Sequence, residues 1–351
     1  MTQESPFKFL DAYEKKDKAL FFGREQETQI LHDLTFNTRM ILLYGGSGTG
    51  KTSLIQCGLA NEFRDTRWNS FSIRRGDNLL ESLQAQLKEA LKDFQIPAAD
   101  FPDDITELAE LLYRHSFKPI YLIFDQFEEL FVLGDETEQK EFFQFIRSFL
   151  AKKFPGKIII SMREEFIADL WDFEKVVPNL FEYRFRVEKM RTEVVKQVIE
   201  KTLRKLEEMG KIKVSNIEEL SEGIMDRLKV DNNQIELTYL QVFLDRMYRV
   251  AAQENGNGPA HLKPGILNKI GAIKDVIGDF LDDQIALLEE EIGQKGVAFK
   301  ILGELVSDKK TKKRVAVEDL ENVRKRLQLS PEQVQRCLDA FEQMRIIKRY
   351  N

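Results

Sequence analysis

A chain of 351 residues, 42% hydrophobic and 32% charged, can bury the cores of two or three modest domains, and its longest apolar runs are far too short to cross a bilayer. The formal net charge of -6 argues against wholesale nucleic-acid binding and leaves only local basic patches open. Two distant cysteines, Cys57 and Cys337, and three scattered histidines, His32, His115 and His261, exclude a disulfide framework and a Cys/His metal cluster. With no signal peptide in the first ten residues, a reducing, cytoplasmic setting without membrane contact is expected.

In chain order, residues 40–44 read as a buried strand running into a glycine-rich turn, and 53–63 as the helix that follows. Residues 68–73, 120–124, 157–161 and 181–187 are further strand candidates between helical stretches. Solidly apolar strands alternating with helices predict a parallel sheet covered on both faces, a doubly wound α/β domain. Phe142, Phe145 and Phe149 recur at helical spacing and are expected to line a core face, with a partner groove as the alternative. Beyond Met190 strand signals stop. Helices are expected over 192–208, with Val195, Val198, Ile199, Leu203 and Leu206 on one side, then over 216–229 and 236–251. A linker over 254–259 precedes more helices at 274–291, 298–306, 317–327 and 331–344.

The strongest motif is Gly45-Gly46-Ser47-Gly48-Thr49-Gly50-Lys51-Thr52, which satisfies GxxxxGK[ST] between a strand and a helix that runs on through Ser53. Chance produces such a match about once in a hundred chains of this length at average residue usage. Glycines let several backbone N–H groups converge on one phosphate, and the following helix adds its positive end. Lys51 is placed for the β- and γ-phosphates and the Thr52 hydroxyl for Mg²⁺. A dinucleotide-binding G-x-G-x-x-G reading fails on spacing.

Asp125, at the tip of the apolar stretch 120–124, is the expected second Mg²⁺ group. The separation from Lys51 leaves room for another strand in between. Gln126 stands where many such enzymes carry a catalytic glutamate, so Glu128 or Glu129 is the candidate for polarising water, with Glu128 preferred. Arg163 ends the next strand, on the same crevice. It could sense a γ-phosphate or merely pair with Glu164 or Glu165.

Together these motifs resemble the STAND class of signal-transduction ATPases, and more closely its bacterial novel STAND branch. The resemblance is carried by Pro6-Phe7, Phe9-Leu10-Asp11-Ala12-Tyr13-Glu14 and Leu20-Phe21-Phe22-Gly23-Arg24-Glu25, then by the phosphate loop and Asp125-Gln126-Phe127-Glu128-Glu129-Leu130-Phe131. Ser161-Met162-Arg163-Glu164-Glu165-Phe166, Leu237-Thr238-Tyr239-Leu240-Gln241 and Gly271-Ala272-Ile273 extend it over nearly the whole chain.

It implies a P-loop NTPase domain of the additional-strand, AAA+-like type over 1–190, an all-α lid over 191–258 and a winged-helix-like domain over 259–351. It further implies ATP or ADP with Mg²⁺, with Phe22, Gly23 and Arg24 lying against adenine. Slow hydrolysis, self-oligomerisation on activation and a role in bacterial defence also follow from the resemblance. Two departures stand out: Thr238 replaces the proline usual in the lid motif, and no histidine follows His261, so the phosphate-reading histidine of the winged helix is missing. An excised core, separated from sensor or effector modules, is therefore expected.

A competing reading is a DNA-acting ATPase similar to origin-recognition or transposition ATPases. Lys309-Lys310-Thr311-Lys312-Lys313-Arg314 and Arg324-Lys325-Arg326 would touch phosphates there. The alternative for these runs is a solvated turn. A small-molecule kinase is disfavoured, since no acceptor-binding motif is present.

Overall fold

A computed structural model describes residues 5–64, 67–228, 235–255, 258–270, 285–286, 288–290, 292–305, 315, 317–343 and 347. Two compact units divide the chain, Met1–Lys269 and Ile270–Asn351. Most of the expected helix 274–291, the Gly271-Ala272-Ile273 motif and the basic run Lys309 to Arg314 lie outside the described residues.

The main sheet of the first unit has five strands, β1 Met40–Gly45, β2 Asn69–Ile73, β3 Ile120–Asp125, β4 Gly156–Arg163 and β5 Arg184–Arg186. Every pairing is parallel and the order is β2-β3-β4-β1-β5. The strand lying between the phosphate-loop strand and the Asp125 strand is thus β4, which ends in Arg163. β2, which intervenes in sequence, forms one edge, and β5 forms the other.

Side-chain alternation explains why both faces are covered. Met40, Leu42, Leu122, Phe124, Ile158 and Ile160 point to one side, into the larger core. Long helices cover that side. With α1 at Glu25–Asn37, α2 at Lys51–Ser53 and α3 at Ala60–Glu62, they are α4 Leu79–Lys92, α5 Ile105–Ser116 and, after the short α6 Glu129–Leu133, α7 Glu136–Ala151. Phe142, Phe145 and Phe149 of α7 are buried there, as expected from their spacing. On the opposite side Ile41, Leu43, Ile123 and Ile159 pack against Leu31 of α1 and Leu54, Ile55 and Leu59. Those last three lie in a π-helical stretch, Leu54–Leu59, that joins α2 to α3.

Local chemistry sets the helix ends. Asn78, Asp104 and Asp135 cap α4, α5 and α7, each side chain accepting backbone N–H groups of the first turn. Arg39, just before β1, donates to the carbonyls of Phe149, Leu150, Lys152 and Gly156 at 3.2, 2.8, 2.7 and 3.0 Å. It thereby satisfies acceptors that the end of α7 leaves open and ties that helix to the sheet.

Two expectations about strands are corrected. The alternation over 181–187 yields a strand only at Arg184–Arg186, because a turn at 179–182 bonds Glu182 N–H back to the Asn179 carbonyl and Phe181 packs on the main core. Past Met190 the chain is helical, with α8 Thr192–Glu208, α9 Ile217–Leu228 and α10 Leu237–Asn255, yet two strands appear among these helices. They are β6 Ile212–Val214 and β7 Ala260–Leu262, paired in parallel. Three-residue strands carry too short a period to be read from sequence. The apolar stripe of α8 is buried as expected through Val195, Ile199, Leu203 and Leu206.

Among its described residues the second unit is helical, with Val297–Glu304, Val317–Leu327 and Pro331–Gln343. Ile285, Leu288, Ala298, Ile301, Leu338 and Phe341 belong to its core, with Cys337 fully buried among them. Gln328, at φ +55, turns the chain between the last two helices. Arg324 pairs with Glu321, and Arg326 with Glu304, so both arginines of the run Arg324-Lys325-Arg326 already hold carboxylates. No helix among the described residues is long and apolar enough to cross a membrane.

Candidate functional site

β1 delivers the glycine-rich loop to the C-terminal edge of the sheet, where parallel strands open on a common crevice. Gly45 admits no side chain, since a Cβ there would lie 2.3 Å from the Val187 carbonyl oxygen. Gly48 and Gly50 take φ of +70° and +89°, which turn the loop's backbone into the helix beginning at Lys51. The Thr49 hydroxyl donates to the Gly46 carbonyl at 3.0 Å, and Ser47 stands exposed at the tip. The Lys51 ammonium curls over the loop and donates to the carbonyls of Gly45 and Gly46, both at 2.9 Å. Burial holds its pKa below the usual lysine value, and the nearby Glu128 carboxylate opposes that shift.

Register places the acidic group. Asp125 lies opposite Ser161, and Gly45 opposite Arg163. The Asp125 carboxylate is 3% exposed and is held from three directions. Thr52 donates to it at 2.9 and 3.2 Å, Ser161 at 3.0 Å, and the Arg74 guanidinium lies 3.2 Å from Oδ2. With its proton given to Asp125, the Thr52 hydroxyl keeps lone pairs for a cation. Hydroxyl and carboxylate oxygens are the donors Mg²⁺ prefers, and a loop bent through two positive-φ glycines suits phosphate, so the residues present fit Mg²⁺ and a nucleotide.

Gln126 follows Asp125 at φ +56, a conformation few non-glycine residues adopt. It reverses the chain so that the Phe127 N–H reaches the Ser161 carbonyl at 2.9 Å. Glu128 comes back toward the loop. Its Oε1 lies 3.2 Å from Arg163 Nε, and its Oε2 accepts the Arg163 backbone N–H at 3.2 Å. The arginine's partner is therefore Glu128 and not its sequence neighbours: Glu164 pairs instead with Arg186 at 2.8 Å. That pairing holds the Glu164 carboxyl below its usual pKa. Glu129 opens α6 and is half-buried.

Phe22, Gly23 and Arg24 form a seam between the loop and α8. Phe22 lies under the Lys201 ammonium, 5.9 Å from the ring centre. Gly23 packs so closely that a Cβ would fall 2.6 Å from a Val198 methyl. Arg24 is buried, with its guanidinium donating to the carbonyls of Thr49 and Glu188 at 2.9 Å each and pairing with Glu27. It clamps the phosphate loop to the segment leading into α8.

α10 closes over the same loop. The Thr238 hydroxyl stands 3.1 Å from where a Gly48 Cβ would sit, and a Leu237 methyl 3.8 Å from where a Gly50 Cβ would sit. Tyr13 adds a second tie: its backbone N–H donates to Ser53 Oγ at 3.1 Å, and its phenol oxygen accepts from Gln241 at 2.9 Å. Burial pushes the Tyr13 phenol from 10.0 up to about 12, so the folded chain favours its neutral form. The stabilisation is complete below pH 10 and is lost as pH rises toward 12. Tyr13→Phe should lower stability near neutral pH by about 1 kcal/mol and flatten the fall in denaturation midpoint across the alkaline window. Parallel pH profiles for the two proteins would refute this.

Sequence spacing did not single out Arg74, Ser161 or the Tyr13–Gln241 pair. A signal for Arg74 was present: it follows β2 directly, as Asp125 and Arg163 stand at the tips of β3 and β4.

Residues 6–350 match the family described as novel STAND NTPase 1. No curated protein matches the chain. Solved structures similar to it include the Aeropyrum pernix ORC1 protein in complex with DNA, at 12% identity and a TM-score of 0.53 over 93% of this chain and 84% of that one. The Aeropyrum pernix ORC2 protein in its ADPNP–ADP complexes is similar at 12% identity and a TM-score of 0.54, over 92% and 86% of the two chains. At such identities the likeness speaks for the fold.

Proposed function

Because this chain belongs to the novel STAND NTPase 1 family, we propose that it is a nucleotide-operated signalling switch in which ATP or ADP sets the position of the helical lid. The observation that carries this reading is the direct seating of α10 on the phosphate loop, Thr238 against Gly48 and Leu237 against Gly50. A γ-phosphate added or lost there acts on the lid without any intermediary. In this reading residues 1–190 form the NTPase domain, 191–258 the lid and 259–351 a winged-helix-like domain, with self-association on activation and a role in bacterial defence.

Within the site, the loop's N–H groups and Lys51 would take the phosphates, and Thr52 and Asp125 would hold Mg²⁺, which supplies charge neutralisation. Glu128 would polarise the attacking water. Its Oε1 is paired with the Arg163 guanidinium and its Oε2 with the Arg163 backbone N–H, and a cation held on a carboxylate lowers its basicity toward water, which supports slow turnover. An arginine drawn to a γ-phosphate is the natural means of opening that pair.

Denaturing the purified protein and chromatographing what is released tests the switch. Stoichiometric ADP, with a compact particle that enlarges or self-associates on exchange for ATP, is the expected result. Empty protein whose ATP turnover rises with added DNA would overturn it in favour of a DNA-acting ATPase.

A further inference from the structure

We propose that Arg74 is the counter-cation of Asp125 and that it sets how strongly nucleotide binding depends on Mg²⁺. The inference rests on the nucleotide-site reading above and adds a residue to it. β2 pairs with β3 so that Ile73 stands opposite Phe124, which brings the next residue, Arg74, beside Asp125. Its Nη2 lies 3.2 Å from Asp125 Oδ2, the same oxygen that takes the shorter Thr52 bond. The other two groups bonded to this carboxylate, the Thr52 and Ser161 hydroxyls, are neutral.

A carboxylate this buried needs a compensating charge, and one beside a polyphosphate site repels the ligand unless it is neutralised. Arg74 supplies that charge from the edge strand. The side chain of Arg74 is 36% exposed whereas that of Asp125 is 3% exposed, so the arginine can withdraw into water while the carboxylate stays. A divalent cation on Asp125 and the guanidinium of Arg74 therefore compete for one charge. With Arg74 present, nucleotide binds tolerably without metal, and added Mg²⁺ gains less because it must displace a cation. Without Arg74, metal-free nucleotide meets a bare carboxylate, and Mg²⁺ and nucleotide become more strongly coupled, each raising the other's affinity by the same factor.

The experiment is titration of ADP by calorimetry in excess Mg²⁺ and in chelator, for wild type, Arg74→Gln and Arg74→Lys. For Arg74→Gln the ratio of the two dissociation constants should grow about tenfold, mostly through weaker binding in chelator. Arg74→Lys, which keeps the charge, should stay near the wild-type ratio. Arg74→Met serves in place of the glutamine variant should that one not fold. In an Asp125→Asn background the same arginine change should leave the ratio unaltered. An unchanged ratio in Arg74→Gln overturns the proposal, and so does an equal loss of affinity with and without metal, which would mean that the arginine binds phosphate directly. Wild-type protein that binds no ADP under either condition would instead overturn the nucleotide-site reading, and this proposal with it.

Discussion

Lys51→Ala is expected to weaken ADP binding by about ten- to a hundredfold while leaving the empty protein as stable as before. Charge-assisted hydrogen bonds to phosphate contribute about 1.5–3 kcal/mol each, and in ADP this ammonium keeps the β-phosphate of the two phosphates it is placed to reach. The second half of the expectation follows from where Lys51 sits. It is partly buried, its pKa is held down by that burial, and its partners are the loop's own carbonyls. Removing it takes away a desolvated charge along with two modest hydrogen bonds, so the two effects roughly offset each other. Nucleotide content after purification, and the rise in melting temperature on adding ADP, are the measurements. Wild type should gain about 2.7 kcal/mol at a hundred times its dissociation constant, and the variant about half of that or less. A variant that melts early without nucleotide would show that the lysine supports the loop rather than the ligand.

Arg75→Ala should destabilise the first unit by about 3–5 kcal/mol. Arg75 and Glu138 are 5% and 6% exposed and meet in a fork, with Nε 3.1 Å from both carboxylate oxygens and Nη2 2.6 Å from one. Glu138 also accepts the Leu79 N–H at 3.0 Å, at the start of α4, and is itself held in the first turn of α7 by Asp135. One ion pair thus joins the end of β2 to two helices. Truncating the arginine strands a carboxylate in the core, and that stranded charge dominates the cost. Thermal denaturation should show a midpoint lower by roughly 10 °C for a unit of this size. The double variant Arg75→Met with Glu138→Leu should recover most of the loss, since nothing charged is left buried. A single-variant cost below about 1 kcal/mol would mean that water reaches the pair.

The sequence made the phosphate loop, the Asp125 strand and α8 readable because each is a local pattern: a fixed spacing, a solid apolar run, a stripe recurring at helical intervals. What stayed hidden depends on which strands become neighbours. Arg163 was weighed against Glu164 and Glu165, its neighbours in sequence, yet its partner is Glu128, brought in by the insertion of β4 between β3 and β1. Arg74 meets Asp125 only because β2 takes the outer place beside β3. Likewise β6 and β7 pair across the whole of α9 and α10, and neither has enough residues to announce itself. Thr238, where the lid motif usually has proline, stands at the start of α10. The small side chain fits against Gly48, and the contact comes from where α10 begins rather than from residue type.

The two outer strands of the sheet bear on how copies of this chain can meet. β5 is three residues long and reads Arg184-Phe185-Arg186, with both arginines exposed; β2 shows an exposed serine at every second position beyond its first residue. Short, charged or polar borders resist templating by a foreign strand, because a newcomer would find few backbone groups to pair with and would have to dehydrate guanidinium groups to reach them. Continuous cross-chain sheets, the route to fibrils and to strand-swapped aggregates, are thereby discouraged. An ordered assembly at the borders of this sheet is left to join through side-chain surfaces, which can be remodelled and released, instead of through main-chain ladders that would lock it shut.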